Sequence, residues 1–161
     1  MIIVCGHDNT GKTTLIETLA KEFSLISVKN SHMPTSAEDI RNAHNWAKSA
    51  PHPVIMDRHP AISDLVYGQA LRNHSHSTLE LALHIRKDNY LVFCCPSYET
   101  IAVTYNDRPQ LEGTHEKLRL IYDSYVSLMD RLEPDFIYDY KNPRALRALM
   151  HHIAPFIRRS L

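Results

Sequence analysis

The sequence predicts an α/β fold in which a five-stranded parallel sheet lies between two layers of helices. Apolar runs of strand length alternate with longer segments of helical period along the 161 residues. Several of these runs are apolar throughout, as expected of strands covered on both faces. A loop with two glycines, GHDNTGKTT (Gly6 to Thr14), joins the first such run directly to the first helical segment.

The elements follow in order. Ile2 to Cys5 reads as the first strand, and Lys12 to Phe23 as an amphipathic helix with Leu15, Ile16, Leu19, Ala20 and Phe23 on its apolar face. A second strand is expected at Leu25 to Val28 and a second helix at Ala37 to Ser49. Ser36 and Asp39 form a capping arrangement there, with aspartate in place of the usual glutamate or glutamine. The stretch SAPHP closes that helix before a third strand, Val54 to Met56. Helices are expected at Ile62 to Arg72 and Thr78 to Arg86, then a fourth strand at Tyr90 to Cys94. His115 to Leu132 reads as a helix with the core stripe Leu118, Ile121, Tyr122, Tyr125, Leu128 and Met129. A fifth strand, Phe136 to Tyr138, precedes a last helix at Pro143 to Ile157, with Asn142 as its cap and proline in the first turn. Trp46, the only tryptophan, is expected to be core at its helical spacing.

The whole chain, 1–161, is read as one domain, without repeat, linker or low-complexity stretch. Hydrophobic residues make up 43% and charged residues 22%, with a formal net charge of zero, so no nucleic-acid partner is expected. No apolar run approaches the roughly 20 residues that span a bilayer, and the opening residues lack a secretory pattern, so no membrane partner and a cytoplasmic location are expected. Cys94 and Cys95 are adjacent on a strand and point to opposite faces, which disfavours a disulfide between them. Eleven histidines include no pair at i, i+4, and no Cys-x-x-Cys is present, so no structural metal site is expected.

Gly6, Gly11, Lys12 and Thr13 satisfy G-x-x-x-x-G-K-[ST]. The glycines let the backbone close around phosphate oxygens, and successive N–H groups from Asn9 to Thr14 and the helix N-terminus supply a positive field. Lys12 reaches the outer phosphates, and Thr13 supplies a hydroxyl to magnesium. The loop therefore predicts ATP and Mg²⁺, with Gly6, Asn9, Thr10, Gly11, Lys12, Thr13 and Thr14 as the binding residues of a P-loop NTPase fold. Kinases, GTPase switches and motor ATPases all use such a loop.

Asp57 and Arg58 follow the third strand, at the sheet edge where the loop also lies. Asp57 can hold magnesium directly or through water, and Arg58 offers a planar fork to a second phosphate; an ordinary surface pair is the alternative. With DRHPAISDLVYGQ from Asp57 onward and YNDRPQLEG from Tyr105, the sequence resembles the thymidylate kinase family of nucleoside monophosphate kinases. The resemblance implies transfer of the ATP γ-phosphoryl group to a deoxynucleoside monophosphate, and a homodimer. It implies that Asp8 approaches the acceptor's 3′-hydroxyl, Arg58 its phosphate, Tyr67 its deoxyribose or base, and Asp57 the magnesium. Ser63 lies one residue farther from Asp57 than the family's spacing. Asn9 stands where some members carry arginine, so the compensating arginine is expected from a short lid at about 106–116 with Gly113 as hinge. Arg108 is the only arginine between Arg86 and Arg119 and is expected to stabilise the transferring group.

The segment ISVKNSHMP, Ile26 to Pro34, contains no acidic residue that would act as a base for a hydroxyl acceptor; Lys29 and His32 suit a phosphate. Gln69 and Arg72 are further candidates for the base edge, and Trp46 is a candidate for stacking if it is not core. A deoxynucleoside kinase is the enzymatic alternative. A GTPase switch would require D-x-x-G after the third strand, where DRHP stands instead, and N-K-x-D after a later one, which is absent; a non-catalytic nucleotide-binding module remains a third reading.

Overall fold

The computed structural model describes residues 1–29, 33–105 and 112–160. Its elements run β1 (Ile2–Cys5), α1 (Lys12–Phe23), β2 (Ile26–Lys29), α2 (Ala37–Ser49), β3 (Val54–Asp57), α3 (Pro60–Arg72), α4 (Leu79–Lys87), β4 (Tyr90–Cys94), α5 (Tyr98–Thr104), α6 (Leu118–Leu132), β5 (Phe136–Tyr138) and α7 (Ala145–Ser160). The five strands are all parallel, in the order β2-β3-β1-β4-β5. From β1 the chain crosses to the edge strand β2, returns to β3 between them, and then passes to the other side of β1 for β4 and β5, so the connections leaving β1 and β3 run in opposite directions. Such a switch point leaves a crevice at the carboxyl ends of the central strands.

Side chains on β1 alternate between two cores. Ile3 and Cys5 join Ile40, Ile62, Val66, Phe93, Ile121 and Tyr125 under α2, α3, α4 and α6. Ile2 and Val4 join Leu15, Leu19, Cys94, Leu149 and Ile153 under α1 and α7. All three cysteines are free, and Cys5 and Cys94 are buried. Among the described residues no helix is long and apolar enough to cross a membrane.

Several boundaries differ from the expected ones for identifiable reasons. α3 begins at Pro60, two residues early, because the His59 Nδ1 accepts the Ala61 N–H at 3.1 Å and proline fits the first turn. α5 was not expected; Ser97 caps it by accepting the Thr100 N–H at 3.3 Å. α6 starts at Leu118 rather than His115, since residues 112–117 form turns. Asn142 does cap, its Oδ1 accepting the Arg144 N–H at 3.0 Å, although regular helix begins only at Ala145 and runs past Ile157 to Ser160. Asp39 does not complete a capping box: Ser36 accepts its N–H at 3.2 Å, but its carboxylate accepts from the Thr35 backbone and hydroxyl at 2.8 and 2.6 Å. Trp46 is not core. It is 51% exposed, and Ile40 and Ala47 carry the buried face of α2.

Candidate active site

The loop after β1 passes so close to β4 that a Cβ on Gly6 would lie 2.4 Å from the Cys94 carbonyl oxygen, and its φ of +142° is one that side chains disfavour. Gly11, at φ +78°, caps α1 with a Tyr140 ring carbon 3.1 Å from where a Cβ would stand. These positions tolerate only glycine without rearrangement, which explains the motif's spacing. Asn9, between them, is also left-handed, at φ +59°. The Thr10 hydroxyl donates to the His7 carbonyl at 2.9 Å, and the Lys12 ammonium donates to the same carbonyl at 2.5 Å. Burial, and then the charge of Arg58, pull Lys12 down to about 8, against the opposing pull of Asp8 and Asp57. Thr13 and Thr14 are exposed on the first turn of α1, where the helix dipole favours anions.

Across from this loop, Arg58 takes a left-handed φ of +60° at the end of β3 while its N–H donates to the Val4 carbonyl at 2.9 Å. That kink brings its guanidinium onto the Asp8 carboxylate and the Tyr67 hydroxyl, the latter at 3.1 Å, with the guanidinium carbon 5.1 Å from the Tyr67 ring centre. The Tyr67 hydroxyl in turn donates to Asp8 Oδ2 at 2.9 Å. Burial alone would raise the Asp8 pKa. The charges of Arg58 and Lys12, with hydrogen bonds from Arg58 and Tyr67, overcome it and hold the carboxyl down at about 2. The same cluster sits against Tyr125, whose ring is 5.8 Å from that of Tyr67.

Asp57 ends β3 with β1 on one side and β2 on the other, paired in register with Val4 and with Lys29. Its Oδ1 is buried and has no hydrogen-bond partner among the described residues. An orphaned carboxylate oxygen beside the phosphate loop is costly unless a cation or water meets it.

The sheet edge thus brings together Asp8, Lys12, Asp57, Arg58 and Tyr67, with exposed Lys29 on the neighbouring strand end. Gln69 is exposed on α3. The Arg72 guanidinium is engaged by Asp64 at 2.5 Å and by the Pro34 carbonyl at 2.9 Å. The Ser63 hydroxyl donates to the His59 carbonyl at 3.3 Å. His32, Arg108 and the 106–111 part of the expected lid lie outside the described residues; Gly113 has a φ of +78°. Sequence reasoning missed His7, Thr104, Tyr105 and Tyr140 around the loop. His7 occupies a free position of the motif, and no local pattern signals the other three.

No protein-family model matches the sequence, nor does any curated protein sequence. Solved structures do match the fold. A YorR protein from Bacillus subtilis, in complex with phosphorylated GDP, superposes with a TM-score of 0.75 at 20% identity, covering 99% of this chain and 96% of that one. A deoxyadenosine kinase from M. mycoides, with the products dCMP and a flexible dCDP bound, gives 0.61 at 12% identity over 96% and 98%. A shikimate kinase from Acinetobacter baumannii, in complex with shikimate, gives 0.55 at 18% identity over 99% and 93%. The chain has the P-loop kinase fold. On that fold Gly6 to Thr14 joins β1 to α1, and the Arg58 cluster lies next to it across the end of β3.

Proposed function

We propose that this protein transfers the γ-phosphoryl group of ATP to a nucleoside monophosphate, with a deoxynucleotide such as thymidylate as the acceptor class the sequence resembles. The observation that carries this reading is the second cation. Arg58 is fixed by Asp8 and Tyr67 beside the phosphate loop, apart from Lys12, so the edge offers one charge to each of two anionic nucleotides. Phosphoryl transfer between them needs alignment and charge neutralisation more than covalent help. A carboxyl held at about 2, as Asp8 is, makes a poor base for a hydroxyl, whereas a phosphate acceptor is already a nucleophile. This favours a phosphate acceptor over the sugar hydroxyl of a nucleoside.

Magnesium fits the oxygens present. The orphaned Asp57 Oδ1 and the exposed Thr13 hydroxyl are hard donors, and no cluster of three or more metal-binding side chains occurs among the described residues to form a closed cage. Asp57 and Thr13 would therefore hold Mg²⁺ together with the triphosphate. When bound, the ion neutralises charge on the β and γ phosphates. Lys12 then binds the outer phosphates, Arg58 orients the acceptor phosphate, Asp8 and Tyr67 hold Arg58 in place, and Arg108 is assigned to the transferring group.

The test is ADP release with ATP–Mg²⁺ and each nucleoside and nucleoside monophosphate in turn. Turnover is expected only with monophosphates. Turnover with a nucleoside and none with its monophosphate would replace this reading with a nucleoside kinase, and no turnover with any acceptor would remove it.

A further inference from the structure

Two of the loop's four variable positions, His7 and Asn9, make contacts with the end of α5. Asn9 Nδ2 donates to the carbonyl of Thr104 at 2.8 Å, bridging 95 residues of sequence. Thr104 is the last residue of α5, and carbonyls in a helix's final turn have no partner within the helix. His7 Nδ1 lies 3.0 Å from the Asp8 carbonyl. A carbonyl only accepts, so Nδ1 carries a proton, and burial lowers the His7 pKa and so favours the neutral ring; Nε2 has no partner among the described residues. The His7 ring meets the Tyr105 ring edge-on, with centroids 5.8 Å apart at 61°. The Tyr105 hydroxyl donates to Thr114 Oγ1. His7, Tyr105 and Thr114 are all at most 1% exposed.

The end of α5 is therefore fastened to the phosphate loop by the Asn9–Thr104 bond and the His7–Tyr105 ring contact, and the turn at Thr114 is tied to it through Tyr105. We propose that His7, Asn9, Tyr105 and Thr114 form a clasp that sets the phosphate loop relative to the end of α5 and the turn at Thr114, and that these four are positioning residues for phosphoryl transfer. The inference rests on the reading that the loop grips a donor triphosphate. Displacement of a transition-state contact by about 1 Å costs on the order of 100-fold in rate while ground-state binding is little changed. The clasp should therefore appear in kcat.

Two variants separate positioning from folding. Asn9→Gly keeps the left-handed backbone without strain and removes the donor to Thr104. Tyr105→Phe keeps the ring against His7 and removes the hydroxyl that meets Thr114. Each is expected to lower kcat about tenfold or more, with KM for ATP and for the acceptor within about twofold. The double variant should be no worse than the poorer single one, because both break one device. Unchanged kcat, or a loss confined to KM, overturns the clasp. Amide hydrogen exchange decides the matter without turnover. In the free protein either variant should speed exchange at residues 98–105 and 112–117 and leave Phe136–Tyr138 unchanged. With a non-hydrolysable ATP analogue and Mg²⁺, wild type should gain protection in the loop and in both segments, and Asn9→Gly in the loop alone. Equal exchange in variant and wild type overturns the clasp even if the phosphotransferase reading stands. Absence of turnover with the exchange pattern as expected removes that reading and leaves the clasp.

Discussion

Replacing Asp8 by asparagine isolates the charge that holds Arg58. The carboxyl lies at about 2 in the folded protein against an ordinary 3.8, and its side chain is 19% exposed. A depression of nearly two units corresponds to about 2 kcal/mol of stability. Because the folded pKa lies below the unfolded one, that contribution is complete above about pH 4 and is lost as pH falls through about 2. At pH 3 the folded carboxyl is still mostly ionised while the unfolded one is mostly protonated, so about half of it, ~1 kcal/mol, remains. Asp8→Asn should therefore be less stable than wild type by about 2 kcal/mol at pH 7 and by about 1 kcal/mol at pH 3. For a chain of this length that narrows the difference in melting temperature by about 2–4 °C. Urea unfolding of both proteins at the two pH values measures it. An identical gap at pH 7 and pH 3 would show that Asp8 is not held by charge, and the electrostatic account of the Arg58 cluster would fall with it.

Arg58→Met should weaken acceptor monophosphate about 10-fold to 100-fold in calorimetry, as expected for loss of charge-assisted hydrogen bonds, and leave the ATP analogue nearly unaffected; equal weakening of both would detach Arg58 from the acceptor. Lys12 is held at about 8, so triphosphate binding to wild type should weaken as pH rises from 7 to 9, when the ammonium loses its proton. Lys12→Ala should bind weakly at both values without that dependence, and a wild-type pH slope in the variant would place the titrating group elsewhere. Gly68→Ala would set a Cβ 2.9 Å from Arg72 Nη2, Asp64 Oδ1 and the His74 carbonyl oxygen. The crowding should cost about 1–3 kcal/mol in urea unfolding, and a neutral result would mean that the buried Asp64–Arg72 pair yields at no cost.

The layered α/β architecture was readable because each strand is a short apolar run and each early helix has a clean 3.6-residue period; β4, β5, α1 and α2 fall where the periodicity puts them. The glycine loop between β1 and α1 was readable because its glycines answer local backbone demands, one against the Cys94 carbonyl and one at the start of α1. α5 was not, since seven residues give less than two turns of period and its cap is a lone serine. Trp46 misled because helical spacing alone does not say which face of α2 meets the sheet; Ile40 and Ala47 do. The contacts of Asn9 with Thr104 and of Tyr67 with Asp8 join residues 95 and 59 positions apart. Neither partner has a local signature, because the neighbourhood exists only once the sheet order puts β1 between β3 and β4.

Charge at the sheet edge limits what the site can do unaided. Lys12 and Arg58 bring two positive charges there, and Asp8 and Asp57 two negative ones, so these four groups sum to zero before any nucleotide arrives. A triphosphate and a monophosphate meeting end to end add several negative charges within a few ångströms, where partial burial strengthens every repulsion. Lys12 and Arg58 cannot offset that load while Asp8 holds one of them. The orphaned Asp57 Oδ1 is the one group of the four arranged to recruit further positive charge. On the proposed function, exposed Lys29 at the end of β2 would supply part of the rest. On this accounting Asp8 does not weaken the site by neutralising Arg58. It fixes the direction of a guanidinium whose binding strength toward the acceptor depends on cations drawn in by the donor, so acceptor affinity should rise once the donor nucleotide and its magnesium are bound.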